Sequence, residues 1–214
     1  MPERAATRKR APHLGPERRR PLLVDASLGL FASHGYAGTS MEMVAEAAGV
    51  TKPVVYACFP GKRELFAALL EREERRLLEQ ILAALPAQVG DGDVEQALVS
   101  GLTAYFRAAA ATPDSWRVIF HAEHGADPAV LRRVEAAREM AVRGVAQLAE
   151  AVLEGEGVGA DAGRRAGLEA RLIVAAGEAG VRLMLEEPGA WEPDELGRVL
   201  GRGLALAHPA FGDS

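Results

Sequence analysis

His121 and His124 stand three residues apart in the stretch His121-Ala122-Glu123-His124, a spacing that sets two imidazoles on one helix face, where a metal ion could bind. The order is not the five-residue order of the zinc-hydrolase helices, and no Cys or carboxylate cluster adjoins it, so no metal is expected. The run Gly155-Glu156-Gly157-Val158-Gly159-Ala160 imitates a phosphate-cradling loop, but it follows a helical pattern instead of a strand and reads as a connector. Cys58 is the only cysteine, so no internal disulfide is expected, and a small side chain within a helix is its plainest role. No nucleophile, base and orienting group combine in a recognisable catalytic motif. The expected protein is not an enzyme and carries no cofactor.

The groups that do point to a chemistry are cations at the starts of helices. Arg18, Arg19 and Arg20 open one helical pattern, Lys52 another, and Lys62 with Arg63 a third. A cation at the positive end of a helix dipole is unfavourable by about 0.3–1 kcal/mol unless an anion lies nearby. Phosphates arrayed along a duplex would supply that anion at all three places. The wider charge pattern agrees: residues 1–63 hold 10 Lys+Arg against 5 Asp+Glu, while residues 64–214 hold 15 against 25, in a chain of formal charge −5. A polyanionic partner for the first third alone is implied.

These residues need helices to position them. Residues 1–16 mix Pro, Gly and Arg without periodicity and read as a disordered basic arm, whose Arg4, Arg8, Lys9 and Arg10 could reach a minor groove or merely add nonspecific attraction to a polyanion. From Glu17, Leu22, Leu23, Ala26, Leu30 and Phe31 recur at helical spacing as far as Gly35. Thr39 and Glu42 form a capping-box pair for a short second helix that breaks at Gly49. Thr51 caps a third helix, and Pro53 falls in its first turn, where the missing N–H has no acceptor to lose. A long helix from Lys62 to about Leu85 follows, with its charged middle, EREERR, as a solvated face. Further helical stretches lie near 92–111, 114–123, 127–154, 162–186 and 193–207. No alternating β pattern occurs, so the fold class is all-α: a helix-turn-helix head followed by a helical bundle. No signal-like or membrane-length apolar run is present, which points to a cytoplasmic protein with no membrane partner.

Phe31, Gly35-Tyr36, Thr39, Val44-Ala45, Ala48-Gly49-Val50-Thr51, Tyr56, Phe59, Lys62 and Leu65 together resemble the N-terminal helix-turn-helix of the TetR family of bacterial transcription regulators, over roughly residues 17–66. The resemblance implies a DNA-binding domain at 17–63 that grips a palindromic double-stranded operator as a homodimer. It also implies an all-α domain at 64–214 that dimerises and binds a small effector, with the whole acting as a repressor that the effector releases. Residue by residue, it implies that Thr39 and Ser40 touch backbone phosphate and that Thr51 and Lys52 begin the recognition helix. Tyr56 and Lys62 would meet phosphates, and Pro53, Val54 and Ala57 would face bases, where methyl contacts with thymine are their natural chemistry. Many family members carry His or Tyr two residues after the motif tyrosine, where this chain has Cys58. With so few hydrogen-bonding side chains on that helix, specificity falls to apolar contacts and DNA shape.

In the C-terminal part, Tyr105, Trp116, Phe120, His121, His124 and Met140 supply aromatic, polarizable and titratable groups for an effector pocket. Glu178 lies within the apolar stretch Leu172–Leu185 and is expected to pair with Arg182 one turn on. The small residues Gly177 and Gly180, and the face Val199, Leu200, Gly203, Leu204 and Ala207, suggest a dimer seam through the helices near 162–186 and 193–207. Two other readings stay open: a helical carrier or enzyme with an incidental basic head, and a DNA-binding dimer that senses no ligand.

Overall fold

The computed structural model describes residues 15–84, 94–123, 128–155 and 161–206. The basic arm with Arg4, Arg8, Lys9 and Arg10 lies outside the described residues, as do His124, Ala207 and the side chain of His121. Among the described residues the chain forms nine helices and no strand, so the fold is all-α. The helices are α1 (Pro16–Gly38), α2 (Met41–Ala47), α3 (Lys52–Cys58), α4 (Lys62–Ala84), α5 (Val94–Ala111), α6 (Pro113–Glu123), α7 (Pro128–Gly155), α8 (Ala162–Glu186) and α9 (Pro193–Ala205).

The head is built by local chemistry at its corners. Gly35, at φ 65 and ψ −178, breaks the helical run of α1 where its sequence pattern stops; only glycine takes that conformation without a steric cost. Ser40, not Thr39, caps α2, its Oγ accepting the Met43 N–H at 3.2 Å. Thr39 turns back instead, and its hydroxyl donates toward the carbonyls of Gly35 at 2.8 Å and Leu30 at 3.2 Å. The expected Thr39–Glu42 capping box is thus displaced by one residue, because the break at Gly35 leaves α1 carbonyls for Thr39 to satisfy. Gly49, at φ 64, makes the tight turn into α3, and Pro53 is the second residue of that helix, as its chemistry requires. Thr51 precedes α3 in extended conformation, but its side chain makes no capping bond.

One hydrophobic cluster joins Leu23 and Phe31 of α1, Val44 of α2, Val55 of α3, Leu65 and Leu69 of α4, and Val118 of α6. A second joins Leu77, Leu102, Phe106, Trp116, Phe120, Val181 and Leu196. The first turns of α4 therefore belong to the head and its later turns to the bundle, and α6 contributes to both cores. The charged middle of α4 is not wholly a solvated face: Glu73 is fully buried, because it falls one turn after Leu69 and one before Leu77 on the apolar side.

Glycines let α9 lie directly on α5. A Cβ on Gly197 would come within 2.7 Å of the Thr103 backbone, and one on Gly201 within 2.6 Å of Val99 Cα. Gly177 and Gly180 of α8 likewise receive the rings of Tyr105 and Phe106. Gly177 and Gly180 thus serve packing within the chain, against α5, which corrects their sequence-based assignment to a seam between two chains.

Candidate nucleic-acid interface and effector cavity

On α3 the side chains divide cleanly. Val55 and Cys58 are buried with Phe59, which follows the helix, while Thr51, Lys52, Pro53, Tyr56 and Ala57 are exposed and Val54 is half-buried. The outward set is the one that the sequence singled out for base and phosphate contact, and Tyr56 is 43% exposed, not packed beneath α1. Lys52 pairs with Glu42 of α2 and lies 5.8 Å from the Tyr56 ring centroid, so that one cation spans the two helices of the motif. Cys58, in contrast, points inward, and its thiol approaches the Pro16 carbonyl at 3.8 Å.

The remaining helix-start cations have partners that sequence alone did not supply. Lys62 donates to the carbonyls of Tyr36 at 2.7 Å, Thr39 at 2.9 Å and Ala37 at 3.4 Å, and stands 4.5 Å from the Tyr36 ring centroid. Arg20 donates to the Cys58 carbonyl and lies over the Phe59 ring at 4.2 Å. The positive charge at the start of one helix thus serves the carbonyl end of another, where a cation is favourable. The ammonium of Lys62 is thus held at the α1–α2 corner. The role expected of the Thr39 side chain is corrected, since the residue is 1% exposed and its hydroxyl is bound inside. Arg63 lies beside Glu64 at 3.1 Å; a backbone hydrogen bond and then this arginine hold the Glu64 carboxyl below the usual range. Arg18 and Arg19 form no ion pair among the described residues; at the start of α1, Arg18 is exposed and Arg19 half-buried.

Within the bundle, α4 to α9 line a cavity of about 260 Å³. Of the expected effector contacts, Tyr105, Trp116 and Phe120 line it, their rings chained at centroid distances of 5.4 and 5.7 Å. Met140 does not; it is 48% exposed on α7, a correction that follows from the helix turning that position away from α8. Sequence reasoning missed most of the apolar wall, including Leu102, Val145 and Ile173. It also missed the polar pair set in that wall: Glu178 is bound not by Arg182 but by Arg138 of α7, in two bonds of 2.8 and 2.7 Å. Arg182 instead lies over the Phe120 ring at 3.9 Å. Burial, and then the negative charge of Glu178, push the Tyr105 phenol well above the ordinary tyrosine range. Among the described residues no cluster of three or more His, Cys, Asp or Glu could hold a metal, and no helix is long and apolar enough to cross a membrane.

Head and cavity meet in α6. Val118 is fully buried in the head core, whereas Trp116 and Phe120, two residues to either side, face the cavity. Ser115 donates to buried Glu73 at 2.5 Å, Arg72 donates to the same carboxylate at 2.6 Å, and Arg72 reaches Asp25 of α1. Helix, cavity wall and head are therefore tied by apolar contact on one side and by a polar chain on the other.

Residues 23–69 match the model of the bacterial regulatory proteins of the tetR family. The chain is 34% identical over 123 residues to the HTH-type transcriptional activator FasR of Mycolicibacterium smegmatis, an alignment covering 58% of this chain and 54% of that protein. It spans about half the length of the curated relative it matches. A TetR-like transcriptional regulator from Rhodococcus sp. RHA1 has a similar structure, with TM-score 0.71 and 24% identity over 92% of this chain and 98% of that one. So does the chain of the SmeT–triclosan complex, with TM-score 0.67 and 21% identity over 89% of this chain and 90% of the other. These likenesses extend the shared fold over head and bundle together.

Proposed function

We propose, for a chain that belongs to the TetR family of bacterial transcriptional regulators, a function as a dimeric, cytoplasmic, DNA-binding regulator of transcription that responds to a small and largely apolar effector. The observation that carries the reading is α6, which lies in the head core through Val118 and in the cavity wall through Trp116 and Phe120. A ligand that displaces α6 cannot leave the head where it was.

In this account Thr51, Lys52, Pro53, Val54, Tyr56 and Ala57 form the reading surface, with Ser40 at the start of α2 and Arg18 and Arg19 at the start of α1 facing phosphate. Two heads fit a palindrome when two bundles pair. The face left for pairing is the outer side of α8 and α9, where Leu168 is 61% and Val199 53% exposed, with Leu206 just beyond α9 at 76%. An effector that favours a bundle geometry with the heads wrongly spaced lowers operator affinity, and the operator lowers effector affinity by the same factor. The direction of regulation depends on where the operator lies: FasR is named an activator, while occlusion of a promoter by the same kind of head represses.

The test is selection of bound sequences from a random duplex pool at two salt concentrations. Enrichment of a palindrome supports the dimeric regulator. Salt-sensitive binding without enrichment would reduce the head to a nonspecific anchor and favour a helical carrier.

A further inference from the structure

The cavity wall carries charge, but the charge is already spent. Arg138 is gripped by Glu178 through two bonds of 2.8 and 2.7 Å and touches Glu135 at 3.3 Å, so its fork is not open to a ligand carboxylate or phosphate. Glu74 and Glu169 also line the cavity, and as carboxylates they offer an anion no donor. Freeing Arg138 for an anionic guest would leave the Glu178 carboxylate in an apolar wall without its partner, a costly exchange.

The neutral polar groups of the wall are differently placed. Trp116 is 6% exposed, and its Nε1–H is buried with no hydrogen-bond partner among the described residues. An indole N–H can only donate, so an acceptor is what it lacks. The Tyr105 ring meets the Trp116 ring edge-on, and its hydroxyl forms no hydrogen bond among the described residues. Burial and Glu178 keep that phenol protonated, and therefore a donor. Two donors without a hydrogen-bond partner among the described residues thus sit on adjoining rings of the wall, beside the paired Arg138 and Glu178.

We propose that the effector is an uncharged, largely apolar molecule bearing one hydrogen-bond acceptor, a ketone, ester or ether oxygen, which the Tyr105–Trp116 corner receives. The inference rests on the reading of the cavity as an effector site. Apolar surface supplies the affinity, and the corner supplies orientation and selection, because a guest with no acceptor leaves both donors unanswered. The Arg138–Glu178 pair holds α7 to α8 and is not an anchor for the guest.

Four compounds of nearly equal shape test this by calorimetric titration: butyl phenyl ketone, its hydrocarbon analogue pentylbenzene, the carboxylate phenylvalerate and the ammonium ion of phenylbutylamine. The ketone is expected to bind tightest. Trp116→Phe, which keeps a ring beside Tyr105 and Phe120 but removes the N–H, should weaken the ketone roughly tenfold and pentylbenzene little, as loss of one hydrogen bond requires. Tyr105→Phe should act in the same direction. In the unaltered protein, the indole N–H resonance of Trp116 should move downfield with the ketone and not with the hydrocarbon, a readout independent of how either variant folds. Equal or tighter binding of the carboxylate or the ammonium ion overturns the proposal. So does an N–H resonance that the ketone leaves unmoved, or an unchanged ketone-to-hydrocarbon ratio in both variants. If none of the four binds, the effector-site reading itself fails and the inference falls with it.

Discussion

Lys62 spends its charge on the carbonyls of Tyr36, Ala37 and Thr39, and this decides what its removal does. Lys62→Met strips the end of α1 of its donors and should lower the unfolding free energy by about 1–3 kcal/mol, read from urea denaturation. The slope of operator affinity against salt should stay the same, whereas loss of a phosphate contact would make it shallower by about one unit. Tyr105 offers a second residue-scale outcome. Its phenol is raised in the folded protein, so the unfolded chain ionises first as the solution is made alkaline. The stabilisation is present below about pH 10 and is lost as pH climbs toward the folded value. In an absorbance titration, one of the three tyrosines should ionise only together with unfolding; three normal titrations would contradict its burial. The carbonyl contacts of Lys62 were not legible in the sequence, because a cation at the start of α4 looks the same whether or not the end of α1 stands opposite. Only the long-range packing of α1 on α4 distinguishes the two. The outward set on α3 was legible, since Pro53 fixes where the helix begins and Val55, Cys58 and Phe59 keep the spacing of an inward face.

Among the elements, the α5–α9 contact depends on glycines that no other residue replaces. Gly201→Ala drives a methyl group to 2.6 Å from Val99 Cα and should cost about 1–3 kcal/mol in thermal or denaturant unfolding. Gly29→Ala, in α1 with nothing within 4 Å of the added Cβ, should instead stabilise by about 0.5–1 kcal/mol. Equal effects of the two would show that α9 is not closely seated on α5. The helices themselves were readable from apolar spacing, from Gly35 and Gly49 as stops, and from Pro53 as a start. Which helices touch was not: Gly177 and Gly180 read equally well as a seam between two chains, and the partners that settle the matter, Tyr105 and Phe106, lie more than seventy residues earlier. The Arg138–Glu178 pair escaped for the same reason, because a partner on α7 leaves no local signature, while Arg182 is merely the nearest cation in sequence.

For the whole molecule, two-foldness is the property that function needs. Leu168→Glu places a charge on the exposed face of α8, away from the cavity wall, and should shift the dimer toward monomer in sedimentation while leaving helix content unchanged. Operator affinity should fall at least tenfold with it; an unaltered dimer would move the pairing face elsewhere. The central claim is that α3 reads bases and that two copies read together. It is tested most directly by repeating the random-duplex selection with Val54→Ala beside the unaltered protein. The account predicts an altered base preference at one position that appears twice, related by the two-fold axis of the palindrome. An identical profile for the two proteins, or a change confined to a single half-site, would contradict it.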